Sequence, residues 1–246
     1  MFDFTVLDGL KGRLDSFRPL PGEVVSNLHE DLVLRWTYNS NAIEGNTLTL
    51  KETKVALEGI TVGGKTMREH SEAINHKEAV LFVEDLVAQK ELLSQHQIKS
   101  IHQIILKNID DKNAGVYRKS NVIISGAEHV PPDYSVLQDE MDRFIAWYNE
   151  TAVNMHPLER AAYVHADFVK IHPFTDGNGR TARLLMNLEL MKDGFPPVVL
   201  PVEKRLQYYN VLDTAHTKGD YEPFIALCAD IAEQAFKPYF HALGVK

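Results

Sequence analysis

The sequence predicts an all-α bundle carrying one small β-hairpin flap. Three observations carry that class. Apolar residues recur at one-helical-turn spacing through most of the 246 residues. Only one short run, NVIIS at 121–125, is rich in β-branched residues. No internal repeat and no glycine- or serine-rich linker divides the chain, so residues 1–246 are expected to form a single unit.

The elements follow in order. Residues 23–43 place Val24, Leu28, Leu32 and Trp36 near one helical turn apart. Residues 66–89 continue the pattern, with Ile74, Leu81, Val83 and Leu86 interleaved with charge. Ser94 is an N-cap candidate for a helix reaching Ile109, whose stripe is Ile98, Ile101, Ile105 and Ile109. After NVIIS, Gly126 and the prolines of HVPP end the expected hairpin or edge strand. A helix over 157–171 opens on Pro157, where the missing N–H costs nothing. The next runs from Gly179 or Arg180 to Met191, with Leu184, Leu185, Leu188 and Met191 inward and Gly194 as its stop.

Composition narrows the function. Hydrophobic content of 44% and charged content of 24% are those of an ordinary globular protein. A net charge of −8 argues against a general nucleic-acid binder, which needs a basic face for phosphates. The single cysteine, Cys228 in FIALCADIA, cannot form an internal disulfide and reads as a buried structural thiol. MFDFTVLDGLKGR has no basic stretch followed by an apolar core, and no apolar run approaches the ~20 residues of a membrane span. The expectation is a soluble cytoplasmic protein without a membrane partner.

One loop holds an unusual inventory. HPFTDGNGRTAR, residues 172–183, packs an imidazole, a carboxylate, two glycines around an asparagine, and two arginines together. If a helix begins near Gly179, the N–H groups of Gly177, Asn178 and Gly179 are its unpaired donors and converge on one small volume. Arg180 and Arg183 share one face and add charge-assisted contacts to phosphate oxygens. Asp176 is a hard oxygen ligand suited to Mg²⁺ bridging two phosphates. His172, held extended by Pro173, suits proton abstraction from a hydroxyl. These parts read as phosphoryl or nucleotidyl transfer to a hydroxyl. A tight GNG turn, a metal hydrolase site from His165, His172 and Asp176, and surface arginines are the competing readings.

The loop resembles the Fic-domain signature H-x-F-x-D/E-G-N-G-R-x-x-R at every fixed position. The resemblance implies a Fic-type helical bundle that transfers AMP from ATP to Ser, Thr or Tyr hydroxyls of a target protein. By it, His172 is the general base, Phe174 anchors the loop, and Asp176 holds Mg²⁺. Gly177, Asn178 and Gly179 cradle the α- and β-phosphates, Arg180 meets the β-phosphate and Arg183 the γ-phosphate. Doc-type kinases carry lysine at the second glycine, so the intact Gly179 implies AMP transfer rather than phosphorylation. GVYRKSNVIISG, residues 115–126, resembles the family's target-binding flap, with Val122, Ile123 and Ile124 pairing a substrate segment by strand addition. RLQYYNVLDTAHTKGDYEPF resembles the adenine-pocket helix, with Tyr208 and Tyr209 lining the base and His216 where relatives usually have asparagine.

A second stretch, TYNSNAIEGN at 37–46, carries a lone glutamate, with Ser40 and Glu44 one turn apart. SNAIEGN resembles the inhibitory motif Ser/Thr-x-x-x-Glu-Gly/Asn of autoinhibited Fic proteins. The implied partner is Arg183, so that Glu44 takes the γ-phosphate position. Residues of about 23–46 are then the inhibitory helix, about 94–195 the core with its flap, and about 202–243 the C-terminal helices. The resemblance also implies a homodimer, with 66–89 as its surface. Removal of AMP by Glu44, and a non-catalytic nucleotide-binding regulator, stay open as alternatives.

Overall fold

The computed structural model describes residues 2–90 and 92–245; Met1, Glu91, Lys246 and the side chain of Val24 lie outside the description. Eleven α-helices run through the described residues: α1 (Thr5–Asp15), α2 (Gly22–Ile43), α3 (Leu50–Leu57), α4 (Met67–Ala88), α5 (Gln95–Leu106), α6 (Leu137–Glu150), α7 (Pro157–Ile171), α8 (Asn178–Lys192), α9 (Arg205–Lys218), α10 (Glu222–Ala235) and α11 (Lys237–Ala242). Three starts are capping boxes written in the sequence: Thr49 with Glu52, Thr66 with Glu69, and Ser94 with Gln97. Each satisfies two helix-end N–H groups and contributes about 1 kcal/mol.

The centre of the bundle is α8, where residues 180–190 are all buried. It packs on α7, and apolar layers gather on both sides of that pair. One layer joins Ile98, Ile101 and Ile105 of α5 to Val80 and Val83 of α4 and to Phe168 and Leu185. The other gathers Leu7 and Leu14 of α1 with Leu190, Tyr208, Leu212, Phe224 and Phe236. Cys228 lies in this second layer and is a free, buried thiol, its pKa raised by burial. Glu189, fully buried on α8, is neutralised by Arg160 at 2.8 Å and Lys192 at 3.0 Å and accepts from the Tyr148 hydroxyl.

Several expectations need correction. No strand occurs among the described residues, so the hairpin at 121–125 is absent. Val122 and Ile124 are half-buried while Ile123 is 88% exposed, the alternation of an extended chain. The returning segment contains Pro131 and Pro132, which have no N–H to offer a ladder. α5 stops at Leu106 and does not reach Ile109, because Asn75 of α4 donates to the carbonyls of Ile105 and Lys107. On α4, Val83 and Leu86 are buried, but Ile74 and Leu81 face outward. The inward side carries Ala73, His76 and Ala79 instead.

Candidate active site

The loop between α7 and α8 is built by contacts from four other segments. His172 ends α7 in the left-handed region (φ 52°, ψ 58°), not extended as its proline neighbour predicts. Its N–H still bonds to Phe168 O at 3.0 Å, which carries the helix one residue further. A non-glycine residue there costs on the order of 1–3 kcal/mol and must be held. Buried Arg118 holds it, donating from Nε to His172 O at 2.9 Å, while the Arg118 N–H bonds to Pro173 O. The same guanidinium donates to the carbonyls of Ser120 and Pro132 and so ties the flap to the loop.

Phe174 is fully buried and stacks on His102, with centroids 3.5 Å apart. His102 accepts the Gly115 N–H at Nδ1, so its proton sits on Nε2 and is donated to Asp176 O at 2.8 Å. Asn178 closes the turn on itself, accepting from Phe174 N and donating to Phe174 O. Gly177 has φ 78°, and a Cβ there would lie 3.2 Å from His102 Nε2. Glycine is required at this position on both counts.

α8 therefore starts at Asn178, one residue earlier than expected, and its first N–H groups open toward the loop. Arg180 and Arg183 are both nearly buried. Arg183 donates from Nε to Ser40 Oγ at 3.0 Å and from Nη2 to Ser40 O and Glu44 Oε1, each at 2.8 Å. Its burial acts to lower the pKa, but Glu44 and Tyr208 outweigh that and raise it. Arg180 Nη2 reaches Asp176 Oδ1 at 3.3 Å, and Nη1 lies 3.5 Å from Glu72 Oε1 without hydrogen-bond geometry. Arg180 Nε, Arg180 Nη1 and Arg183 Nη1 are buried with no hydrogen-bond partner. Orphaned cationic donors at the N-terminus of a helix are an anion site.

The carboxylate of Glu44 stands over that site. A Cβ added to Gly179 would collide with Glu44 Oε1 and lie 3.2 Å from Arg183 Nη1. Glu44 is the C-cap of α2, and the following Gly45 turns the chain at φ 98°. Asn46 then pins the segment to α4, donating to Glu69 O and to Glu72 Oε2. Ser40 and Glu44, one turn apart on α2, thus meet one guanidinium together.

His172 donates from Nδ1 to Val169 O at 3.3 Å, which leaves the Nε2 lone pair free. Burial lowers its pKa to about 4, so the ring is neutral at pH 7. Asp176 also has a lowered pKa: burial acts to raise it, and Arg180, the Gly177 N–H and Arg68 outweigh burial. No group of three His, Cys, Asp or Glu side chains converges among the described residues. Of the three residues in the hydrolase reading, His165 is fully buried and hydrogen-bonded to the Tyr208 hydroxyl at 2.9 Å. The single carboxylate of Asp176 does fit a Mg²⁺ that arrives with phosphates and keeps water ligands.

Of the residues expected at the adenine, Tyr208 lines a small apolar cavity with His165 and Phe224. Tyr208 is a core side chain, because its hydroxyl finds a buried partner in His165. Tyr209 is at the surface and donates to Ile43 O at 3.1 Å, bracing the end of α2 just before Glu44. His216 is buried against Ala166 O at 2.9 Å. Val122, Ile123 and Ile124 lie along the flap, which Arg118 brackets by donating to Ser120 O and Pro132 O. Four site residues have no assigned role in the motifs of the sequence: Arg68, Glu72, His102 and Arg118. His102 had a signal, a polar residue interrupting the apolar face of α5; the other three had none.

A left-handed histidine, a glycine-opened helix and two buried arginines with unbonded donors give this helical protein one charged, donor-rich loop. Residues 92–190 match the Fic/DOC family. Protein adenylyltransferase fic-1 of Caenorhabditis briggsae is 42% identical over 212 residues, covering 85% of this chain and 41% of the relative. The structure of Fic-1 residues 134–508 from C. elegans superposes with a TM-score of 0.86 at 36% identity, covering 97% of this chain and 72% of that one. A Fic domain containing signaling protein from Bacteroides thetaiotaomicron superposes at 0.91 with 27% identity, covering 98% of each chain. The chain belongs to the Fic/DOC family. It spans well under half the length of the curated relative.

Proposed function

We propose that the chain is an autoinhibited protein adenylyltransferase, in one Fic-type unit, that takes ATP and a hydroxyl-bearing protein as substrates. The observation that carries this reading is the set of buried, unpartnered donors on Arg180 and Arg183 beside a competing carboxylate, Glu44. Relatives named protein adenylyltransferase support it.

The polyphosphate binds across the N-terminus of α8, with Gly179 allowing close approach and the arginines taking its charge. The substrate hydroxyl approaches the free Nε2 of His172. As its oxygen attacks the α-phosphorus, His172 accepts the hydroxyl proton, the bond to pyrophosphate breaks, and a phosphodiester to AMP forms. Arg180 and Arg183 take up charge on the departing pyrophosphate. Asp176 would hold Mg²⁺, whose chemistry is charge neutralisation on the phosphates. The flap at 115–126, free of strand pairing, is available to a target backbone.

Glu44 works as a brake by occupying Arg183 Nη2 and the space over Gly179. Among the described residues no helix is long and apolar enough to cross a membrane. Incubation with α-labelled ATP, Mg²⁺ and a lysate tests the proposal. Label on protein is expected with Glu44→Gly and not with Glu44→Gly/His172→Ala. Equal or absent label in both variants contradicts it.

A further inference from the structure

Arg68 has no part in the reaction above, yet it is the closest cation to the outer oxygen of Asp176. It lies in the first turn of α4 and donates from Nη2 to Asp176 Oδ2 at 2.6 Å. Its Nε donates to Glu72 Oε1 at 3.1 Å. Glu72 is little exposed and is itself fixed by Asn46 at 2.9 Å. The arginine is thus bonded at both ends of its guanidinium, although its side chain is 57% exposed.

The two oxygens of Asp176 are occupied differently. Oδ1 accepts the Gly177 N–H at 2.6 Å and Arg180 Nη2 at 3.3 Å, contacts that belong to the loop itself. Oδ2 accepts from Arg68 alone among the hydrogen bonds that the structure gives it. A divalent cation bound to this carboxylate takes the oxygen that the loop leaves open, and a guanidinium charge 2.6 Å from that oxygen opposes it. Cation binding therefore favours Arg68 moving away. It leaves one half-exposed partner, Asp176, and one little-exposed partner, Glu72, so its departure carries a modest cost.

We propose that Arg68 is a resident cation on Asp176, tethered by Glu72, which the incoming divalent cation has to displace. It is a second brake, acting on the metal side of the site, while Glu44 acts on the phosphate side. The inference rests on the adenylyltransferase reading, and it concerns cation binding rather than turnover.

The test uses nucleotide binding without turnover. The Glu44→Gly protein, Glu44→Gly/Arg68→Gln and Glu44→Gly/Arg68→Lys are each saturated calorimetrically with α,β-methylene ATP over a series of Mg²⁺ concentrations. The half-saturating Mg²⁺ concentration is expected to fall about two- to fivefold with Arg68→Gln, the range a half-exposed ion pair supports. Arg68→Lys, which keeps the charge, should stay near the parent value. In EDTA the nucleotide affinity of the Gln variant should be no higher than that of its parent. An unchanged or raised Mg²⁺ midpoint with Arg68→Gln overturns this inference and leaves the proposed function standing. No nucleotide binding by any variant overturns the proposed function and this inference with it.

Discussion

Replacing Glu44 with glycine should raise nucleotide affinity and lower stability at the same time. In the resting protein Glu44 Oε1 is 2.8 Å from Arg183 Nη2, with Arg183 3% and Glu44 34% exposed. That places the pair between an exposed ion pair, about 0.2–1 kcal/mol, and a charge-assisted bond, about 1.5–3 kcal/mol. An intermediate value of about 1.5 kcal/mol corresponds to roughly tenfold in binding. Arg183 keeps Ser40 Oγ and Ser40 O as partners when Glu44 is removed, so the arginine stays in place. The expected outcome is about tenfold tighter binding of α,β-methylene ATP by calorimetry, with a melting temperature lower by roughly 3–6 °C in the absence of ligand. Glu44→Gln keeps an acceptor and should change both quantities by less. An affinity gain below about twofold, or a gain in stability, would refute the view that Glu44 competes for the nucleotide's place.

Other perturbations address the scaffold of the site. Gly177→Ala meets both a positive φ and His102, so a loss of about 1–3 kcal/mol in denaturant unfolding is expected, with AMP transfer falling at least tenfold. Arg118→Ala frees three carbonyls and the left-handed His172; transfer by the Glu44→Gly protein should fall more than tenfold, and Arg118→Lys should restore little of it because a point charge cannot reach three acceptors. The fold should weaken in mild acid. His216 is held neutral by burial, its pKa lowered to about 4, and buried His76 and His165 are lowered in the same direction. Below the unfolded value of about 6.5 the unfolded chain binds protons that the folded chain refuses, so stability falls as pH drops from there toward 4. His216 alone contributes on the order of 3 kcal/mol to that loss, measured by urea unfolding across the pH range. With His172 also depressed to about 4, the acid limb of kcat/KM should lie near that value and not near 6.5.

What could be read from the sequence was local in the chain. The loop at 172–183 carries its base, its helix opening and its arginines within a few residues, so their juxtaposition follows from one turn of backbone. The capped starts of α4 and α5 and the proline opening of α7 are local as well. The failures lie where distant segments decide. Asn75 terminates α5 early from another helix. Pro131 and Pro132 deny NVIIS a partner strand, although their position was in plain view. His172 leaves the extended region its proline neighbour favours because Arg118, on the flap, captures its carbonyl. Arg68 and Glu72 sit in an ordinary charged stretch of α4, and only the packing of that helix on α8 brings Arg68 to Asp176 and Glu72 to Arg180.

The central claim is that the buried arginines and His172 transfer a nucleotidyl group to a protein hydroxyl. Peptide mass spectrometry after incubating a lysate with ATP, Mg²⁺ and the Glu44→Gly protein tests it most directly. The expected result is an adenylate adduct on Ser, Thr or Tyr side chains that disappears with His172→Ala. A phosphoryl adduct in its place, or an adenylate adduct that survives His172→Ala, would contradict it.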